Sequence, residues 1–152
     1  MKIQFGPQCF KLLTTKRLIL RNVYEQDAKD LYKNIYSNYE WHKFGYPGHI
    51  HNAMECSELL GKYMYRSKKG DHMLWGVVEK KSDEMIGIVL LYGYDALKGM
   101  CRMGCLMSHN HSSKGYAREA VFRVMNFAFY DMNINKLQLE IVRNNVPSLK
   151  LA

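Results

Sequence analysis

Between Met100 and Ser108 the side chains alternate with period two. Cys101, Met103, Cys105 and Met107 share one face, while Arg102, Gly104 and Leu106 share the other. Strict alternation over this length predicts a strand with one strongly apolar side. Soon afterwards Lys114-Gly115-Tyr116-Ala117-Arg118-Glu119-Ala120 opens a helix, whose Ala117, Ala120, Val121, Val124, Met125, Ala128 and Phe129 recur at helical spacing. Arg118, Glu119, Arg123 and Asn126 fall largely away from that stripe. A glycine at a strand-to-helix junction lets the chain turn tightly and leaves the first helical N–H groups without intrahelical partners. Those groups, with the positive end of the helix dipole, can receive a phosphate. The same glycine also suits a plain packing turn, so its flanks must decide. Leu137, Leu139 and Ile141 then alternate with Lys136, Gln138 and Glu140, which reads as a second strand. The unit is strand, phosphate-type turn, helix, strand.

The rest of the chain supplies a sheet for this unit to join. Residues 1–13 are mixed and read as an N-terminal extension. Arg17 to Val23 reads as a strand, and Glu25 to Ser37 as a helix with Ala28, Leu31, Tyr32 and Ile35 on one side. Asn38 to His51 is aromatic and glycine-rich, carries Pro47, and reads as a loop or a broken helix. Ala53 to Arg66 reads as a second helix. His72 to Lys80 and Met85 to Tyr94 form a strand pair joined by Lys81-Ser82-Asp83-Glu84. At 152 residues the chain is one domain by length, with no internal repeat and enough apolar content (47%) to build a core.

No apolar run is long enough to cross a bilayer, and the N-terminus lacks an apolar core followed by a small-residue cleavage site. A cytoplasmic protein without a membrane partner is expected. The four cysteines, Cys9, Cys56, Cys101 and Cys105, show no Cys-x-x-Cys spacing and read as free thiols, with no metal site. A net charge of +8 suits an anionic partner, for which a phosphate-bearing cofactor and nucleic acid are both candidates. The basic residues are spread along the chain in short pairs such as Lys68-Lys69 and Lys80-Lys81. No helix carries a continuous basic stripe, which argues against nucleic acid and for a basic cofactor mouth.

Several stretches, in order from residue 13 onward, resemble the GNAT superfamily of acyl-CoA-dependent N-acyltransferases, most of all its ribosomal-protein N-terminal-acetyltransferase (Rim-type) branch. They are Leu13-Thr14-Thr15-Lys16-Arg17-Leu18-Ile19-Leu20-Arg21, then Glu25-Gln26-Asp27-Ala28-Lys29-Asp30-Leu31-Tyr32, then Met85-Ile86-Gly87-Ile88. Lys114-Gly115-Tyr116-Ala117 resembles the end of the family's acyl-CoA loop, and Asn145-Val146-Pro147-Ser148-Leu149-Lys150-Leu151 its asparagine-led entry into the next helix. The resemblance implies an α/β (α+β) fold, with a mixed, mostly antiparallel central sheet flanked by helices. It implies acetyl-CoA as co-substrate and an amine acceptor, on a peptide N-terminus or a small molecule.

Carried over by position, the resemblance assigns the cofactor to the loop Ser113, Lys114, Gly115, Tyr116 and Ala117, whose main-chain N–H groups would hold its pyrophosphate. Main-chain groups of Cys105, Leu106 and Met107 would pair with the pantetheine arm. Asn145 would contact the cofactor or shape the acceptor pocket, or else stabilise the turn before Pro147. Trp41, Phe44 and Tyr46, with His42, lie where relatives build the acceptor pocket, and packing under a loop is the alternative. Two departures stand out. Ser112 and Ser113 replace the loop's usual Gln or Arg and an adjacent residue often Gly, and Arg102 occupies the position where many relatives carry a catalytic glutamate. A cation cannot act as that base. His109, His111 and Glu140 are the substitute bases at hand, against the plainer reading of exposed loop histidines and a solvated strand residue. Relatives continue beyond the helix beginning near Ser148 and add strands, so a sheet lacking the last strands is expected, along with a homodimer covering the strand Lys136 to Val142. A CoA-binding member that has lost catalysis, or an interaction module, is the alternative function.

Overall fold

The computed structural model describes Phe5, residues 7–38 and residues 50–139. Six strands form one sheet in the order β1 to β6: β1 (Leu13–Thr14), β2 (Leu18–Arg21), β3 (His72–Glu79), β4 (Met85–Asp95), β5 (Met100–Met107) and β6 (Lys136–Leu139). Every neighbouring pair is antiparallel except β5 and β6, which run parallel. That exception follows from connectivity: β5 and β6 are joined through a helix, and such a crossover returns the chain in the same direction. Helices cover both faces.

On one face lie α1 (Ala28–Leu31) and α2 (Ala53–Lys69). Leu31, Ile35, Cys56 and Leu60 pack there on Leu74, Val78, Met85, Ile88 and Leu106. On the other lies α3 (Tyr116–Asn126), whose Tyr116, Ala120, Val121 and Val124 pack on Leu18, Leu20, Trp75, Val77, Val89, Cys101 and Met103. All eight residues of β3 are buried because both helical layers press on it. That explains why this strand reads as a continuous apolar run and not as an alternation.

Element boundaries moved for local reasons. The helix expected over Glu25 to Ser37 is a single helical path of three pitches: a 3-10 turn at Glu25–Asp27, then α1, then a π turn at Tyr32–Tyr36. Asp27 fixes its start. The Asp27 carboxylate accepts both terminal nitrogens of Arg21 at 2.9 Å and the Tyr24 N–H at 2.7 Å. The second helix runs to Lys69, one turn past Arg66, because Gly70 at φ 80° provides a left-handed cap whose N–H reaches Arg66 and Ser67 carbonyls. The segment read as an extension is tied to the domain. Leu13 begins β1, Phe5 is buried, and Phe10 stacks on Trp75 with ring centroids 5.4 Å apart. Among the described residues no helix is long and apolar enough to cross a membrane.

One irregularity shapes the sheet near its working end. The register of β3 against β4 shifts between Val77 and Val78, so Ile86 is an extra residue in β4. The bulge turns Ile86 and Val89, three apart, to the same face, where both join the α3 layer. It also aims the Ile86 carbonyl at the Ser108 N–H, 2.7 Å away. Beside it, Gly87 cannot carry a side chain. A Cβ there would lie 2.8 Å from the Leu106 carbonyl oxygen and 2.6 Å from the Met107 sulfur.

Trp75 is fully buried, stacked on Phe10 and edge-on to Phe127, with Nε1 donating to the Lys11 carbonyl at 2.9 Å. Trp75→Ala should destabilise the domain by about 3–5 kcal/mol, read as a lowered urea midpoint. An unchanged midpoint would show that the N-terminal segment does not pack as described.

Candidate functional site

The chain leaves β5, makes a 3-10 turn at His109–His111, crosses exposed residues 112–115 and enters α3. Ser113 at φ 63° and Gly115 at φ 82° both take the left-handed conformation. Glycine at 115 is therefore demanded by the backbone itself, in addition to any ligand's need for room. Gly115 is the N-cap of α3 and has no side chain with which to satisfy the helix. The first intrahelical bond runs from Glu119 N–H to the Gly115 carbonyl at 3.0 Å. The amides of Tyr116, Ala117 and Arg118 thus have no partner within the helix.

This helix end is held by long-range contacts. Glu119 accepts the Thr15 hydroxyl at 2.5 Å, the Arg17 N–H at 3.1 Å and Arg17 Nε at 2.8 Å. The Arg17 guanidinium also lies over the Tyr116 ring, 4.2 Å from its centroid. Burial alone would push the Glu119 carboxyl up, but the bonds from Thr15 and Arg17 outweigh it and hold it below the usual range. Glu79, at the end of β3 and only 7% exposed, is likewise held low, chiefly by the approach of the Tyr116 hydroxyl and then by Ser82. The same contact raises Tyr116, which keeps its proton. Two carboxylates, one phenol and one guanidinium thus lock the first turn of α3.

Among the described residues, the strand before the loop has an edge without a partner beyond Met103. Because Ser108 N–H bonds Ile86, alternation of the antiparallel ladder makes Leu106 exchange its bonds with Ile88. The main-chain groups of Cys105 and Met107 then point toward the opposite edge, the side of β6. Among the described residues β6 pairs with β5 only from Met100 to Met103. The edge beside Cys105 and Met107 leads directly to the loop.

The structure distributes the sequence-expected residues unevenly. Cys105, Met107 and residues 113–117 are brought together along one path from β5 into α3. Leu106 belongs to that path in sequence, but its main chain serves β4 and its side chain packs in the α1 and α2 layer. His109 is exposed, and His111 places Nδ1 2.9 Å from the buried Ser108 hydroxyl, with its ring 6.1 Å from that of Tyr116. Glu140, Asn145, Trp41, His42, Phe44 and Tyr46 lie outside the described residues. Arg102 is exposed on β5 opposite Tyr92. Cys105 is half-buried by area but crowded enough that desolvation pushes its thiol up to about 12, as burial also does at Cys101. Thr15, Arg17, Glu79, Ser108 and Glu119 were not singled out as site residues. Arg17 stood within a recognised stretch, but nothing local to it signals a partner about a hundred residues away.

Residues 17–152 match the family model described as the acetyltransferase (GNAT) domain. The chain belongs to the GNAT family. It is an N-acetyltransferase by that membership and by its relatives. An uncharacterized N-acetyltransferase, p20 of Bacillus licheniformis, is 27% identical over 91% of this chain and 78% of its own length. A putative ribosomal-protein-serine acetyltransferase from Vibrio cholerae shares the fold, with TM-score 0.84 at 22% identity over 93% of this chain and 80% of that one. The microcin C7 self-immunity acetyltransferase MccE, solved with acetyl-CoA and AMP, also shares it, with TM-score 0.79 at 17% identity over 91% of this chain and 77% of that one. The six-stranded, mostly antiparallel sheet flanked by helices is thus the GNAT fold expected from the sequence.

The Glu119 contacts set an acid limit on stability. A carboxyl depressed below its ordinary 4.5 stabilises the fold fully above that pH, and the contribution is lost as pH falls through the lower folded value. Glu119→Gln should cost about 1–3 kcal/mol at pH 7, with the gap to the parent closing below pH 4.5. Acid titrations followed by circular dichroism measure this. A gap independent of pH would mean that the carboxylate's charge does not matter.

Proposed function

We propose that this GNAT member transfers the acetyl group of acetyl-CoA to an amine, on a peptide N-terminus or a small molecule. The observation that carries the reading is the alignment of two sets of main-chain donors. The unpaired amides at the start of α3 suit a diphosphate, and the open edge at Cys105 and Met107 suits the amides of a pantetheine arm. Ser113, Lys114, Gly115, Tyr116 and Ala117 form the first set. Leu106 contributes packing, since its main chain is already paired within the sheet.

The chemistry asks for little covalent help. The amine's lone pair attacks the thioester carbonyl carbon, the carbon–sulfur bond breaks, and the thiolate leaves while the amine's extra proton passes to water or to that thiolate. Positioning and electrostatics supply most of the rate in such a step. Transfer is direct. Burial pushes the Cys105 and Cys101 thiols up to about 12, which does not favour an acetyl-thiol intermediate at either.

His109 and His111 sit at the diphosphate end of the path. The pantetheine arm spans several strand residues, so the reacting carbon lies back along β5, away from this turn. Arg102 on β5 cannot accept a proton. Among the described residues no side chain is then set to take the acceptor's proton (Glu140 lies outside them), so solvent takes it in this reading, and kcat/KM should climb with pH through the acceptor's own amine pKa.

Two experiments test the reading. Acetyl-CoA should raise the melting temperature of the protein, and Gly115→Glu, which places a carboxylate against the phosphates, should abolish that shift. Gly115→Ala, which meets the same positive φ without the charge, separates backbone strain from repulsion. An undiminished shift in Gly115→Glu would displace the cofactor from this loop. In a thiol-release assay with an amine panel, a His109→Ala, His111→Ala double variant should keep kcat/KM within about threefold of the parent. A positioned general base is worth roughly a hundredfold or more, so a loss of that size would make one of them the base. Thiol release with no amine in the panel, alongside tight cofactor binding, would favour a CoA-binding member that has lost catalysis.

A further inference from the structure

Arg17 stands against the α3 loop in a way that packing alone does not require. Its Nε is fixed to Glu119 at 2.8 Å, its backbone N–H to the same carboxylate at 3.1 Å, and its plane to the face of Tyr116. Both anchors leave the outer edge of the guanidinium uncommitted: among the described residues neither Nη1 nor Nη2 has a hydrogen-bond acceptor. That edge points at the loop. Nη2 lies 3.4 Å from the place a Cβ on Gly115 would occupy. A guanidinium whose rotamers are already fixed loses little entropy on taking an anion, and its paired N–H groups match two oxygens of one phosphate.

We infer that Arg17 is a cofactor-binding residue: its two terminal nitrogens clamp the diphosphate that the α3 amides receive, from the side opposite the helix. This rests on the acetyl-CoA reading of the loop given above. Glu119 is then a positioning residue, holding the clamp's angle through Nε while leaving both Nη groups outward. Its charge offsets that of Arg17, so the clamp works by directed hydrogen bonds more than by net field. The side chain is 39% exposed, which leaves the edge open to a ligand arriving from solvent.

Calorimetry on the full chain tests this with acetyl-CoA, dephospho-CoA and the phosphate-free S-acetylpantetheine, for the parent, Arg17→Gln, Arg17→Lys and Thr15→Ala. Arg17→Gln should weaken acetyl-CoA and dephospho-CoA alike by about tenfold to a hundredfold, the range for losing a charge-assisted contact. Affinity for the phosphate-free S-acetylpantetheine should shift by no more than about twofold, and Arg17→Lys should recover only part of the loss because an ammonium cannot match two oxygens. Thr15→Ala removes another Glu119 partner and leaves the guanidinium in place, so it should lower the ligand-free melting temperature without moving cofactor affinity beyond about threefold. A parent that binds no acetyl-CoA removes the loop reading itself. A parent that binds, with Arg17→Gln binding equally well, overturns only the clamp. A penalty present with acetyl-CoA but absent with dephospho-CoA overturns the diphosphate assignment in favour of the ribose phosphate. Equal losses in Arg17→Gln and Thr15→Ala would reduce Arg17 to a structural strut.

Discussion

One carboxylate joins the two halves of the sequence at the place where the cofactor would bind. Glu119 reaches from the first turn of α3 to Thr15 and Arg17, in and just after the turn that links β1 to β2. Without that contact the N-terminus of α3 would be positioned only by its apolar stripe, which fixes how the helix lies on the sheet but not where its first amides point. An anion site made of main-chain N–H groups depends on their direction to within a fraction of an ångström. The hydrophobic layer sets the height of the helix over the sheet, and the Glu119 contacts set its end.

The sheet makes a complementary provision at the end of β5. The extra residue in β4 directs the Ile86 carbonyl to Ser108 and so prolongs the β4–β5 ladder to the very start of the loop. Because the ladder alternates, committing Ser108 and Leu106 to β4 commits Cys105 and Met107 to the other edge. Gly87 is part of the same device, since any side chain there would meet the Leu106 carbonyl and force the strands apart. A bulge, a glycine and a register together decide which two residues of β5 face outward.

Much of this was legible in the sequence, and the reason is that period and punctuation are local. The alternation of Met100 to Ser108, the stripe from Ala117 to Ala128 and the glycine between them survive in the structure, while at the end of the stripe the π turn Phe127–Asp131 buries Phe127 in the core in place of the expected Phe129. Gly70 stopped α2 later than expected because a left-handed cap is chosen by the helix's own carbonyls. The readings that fell short concern distance in the chain. Glu119 looked like part of a solvated helix face, yet its partners lie 102 and 104 residues away. Glu79 lay unremarked inside the expected strand His72 to Lys80, yet it is buried beside Tyr116. Leu106 was grouped with its neighbours because nothing in a single strand tells which of three successive residues its partner strand will claim. The short β1 escaped because two residues carry no detectable period.

The arrangement separates holding from reacting. With acetyl-CoA seated as proposed, the groups near the loop, from Arg17, Glu119, Tyr116 and Glu79 to the His111–Ser108 contact, would serve the diphosphate end, where directed donors matter and no bond changes. The reacting carbon would then lie further back along β5, where the described residues offer apolar packing, thiols whose burial raises them to about 12, and the cation of Arg102. A site of that kind would accelerate transfer by lowering the entropy of encounter, and would leave the acceptor's own basicity to set the pH at which it works. Cofactor affinity and acceptor choice can then vary independently: the first is written into a locked helix end, the second into whatever loops approach the far stretch of the strand.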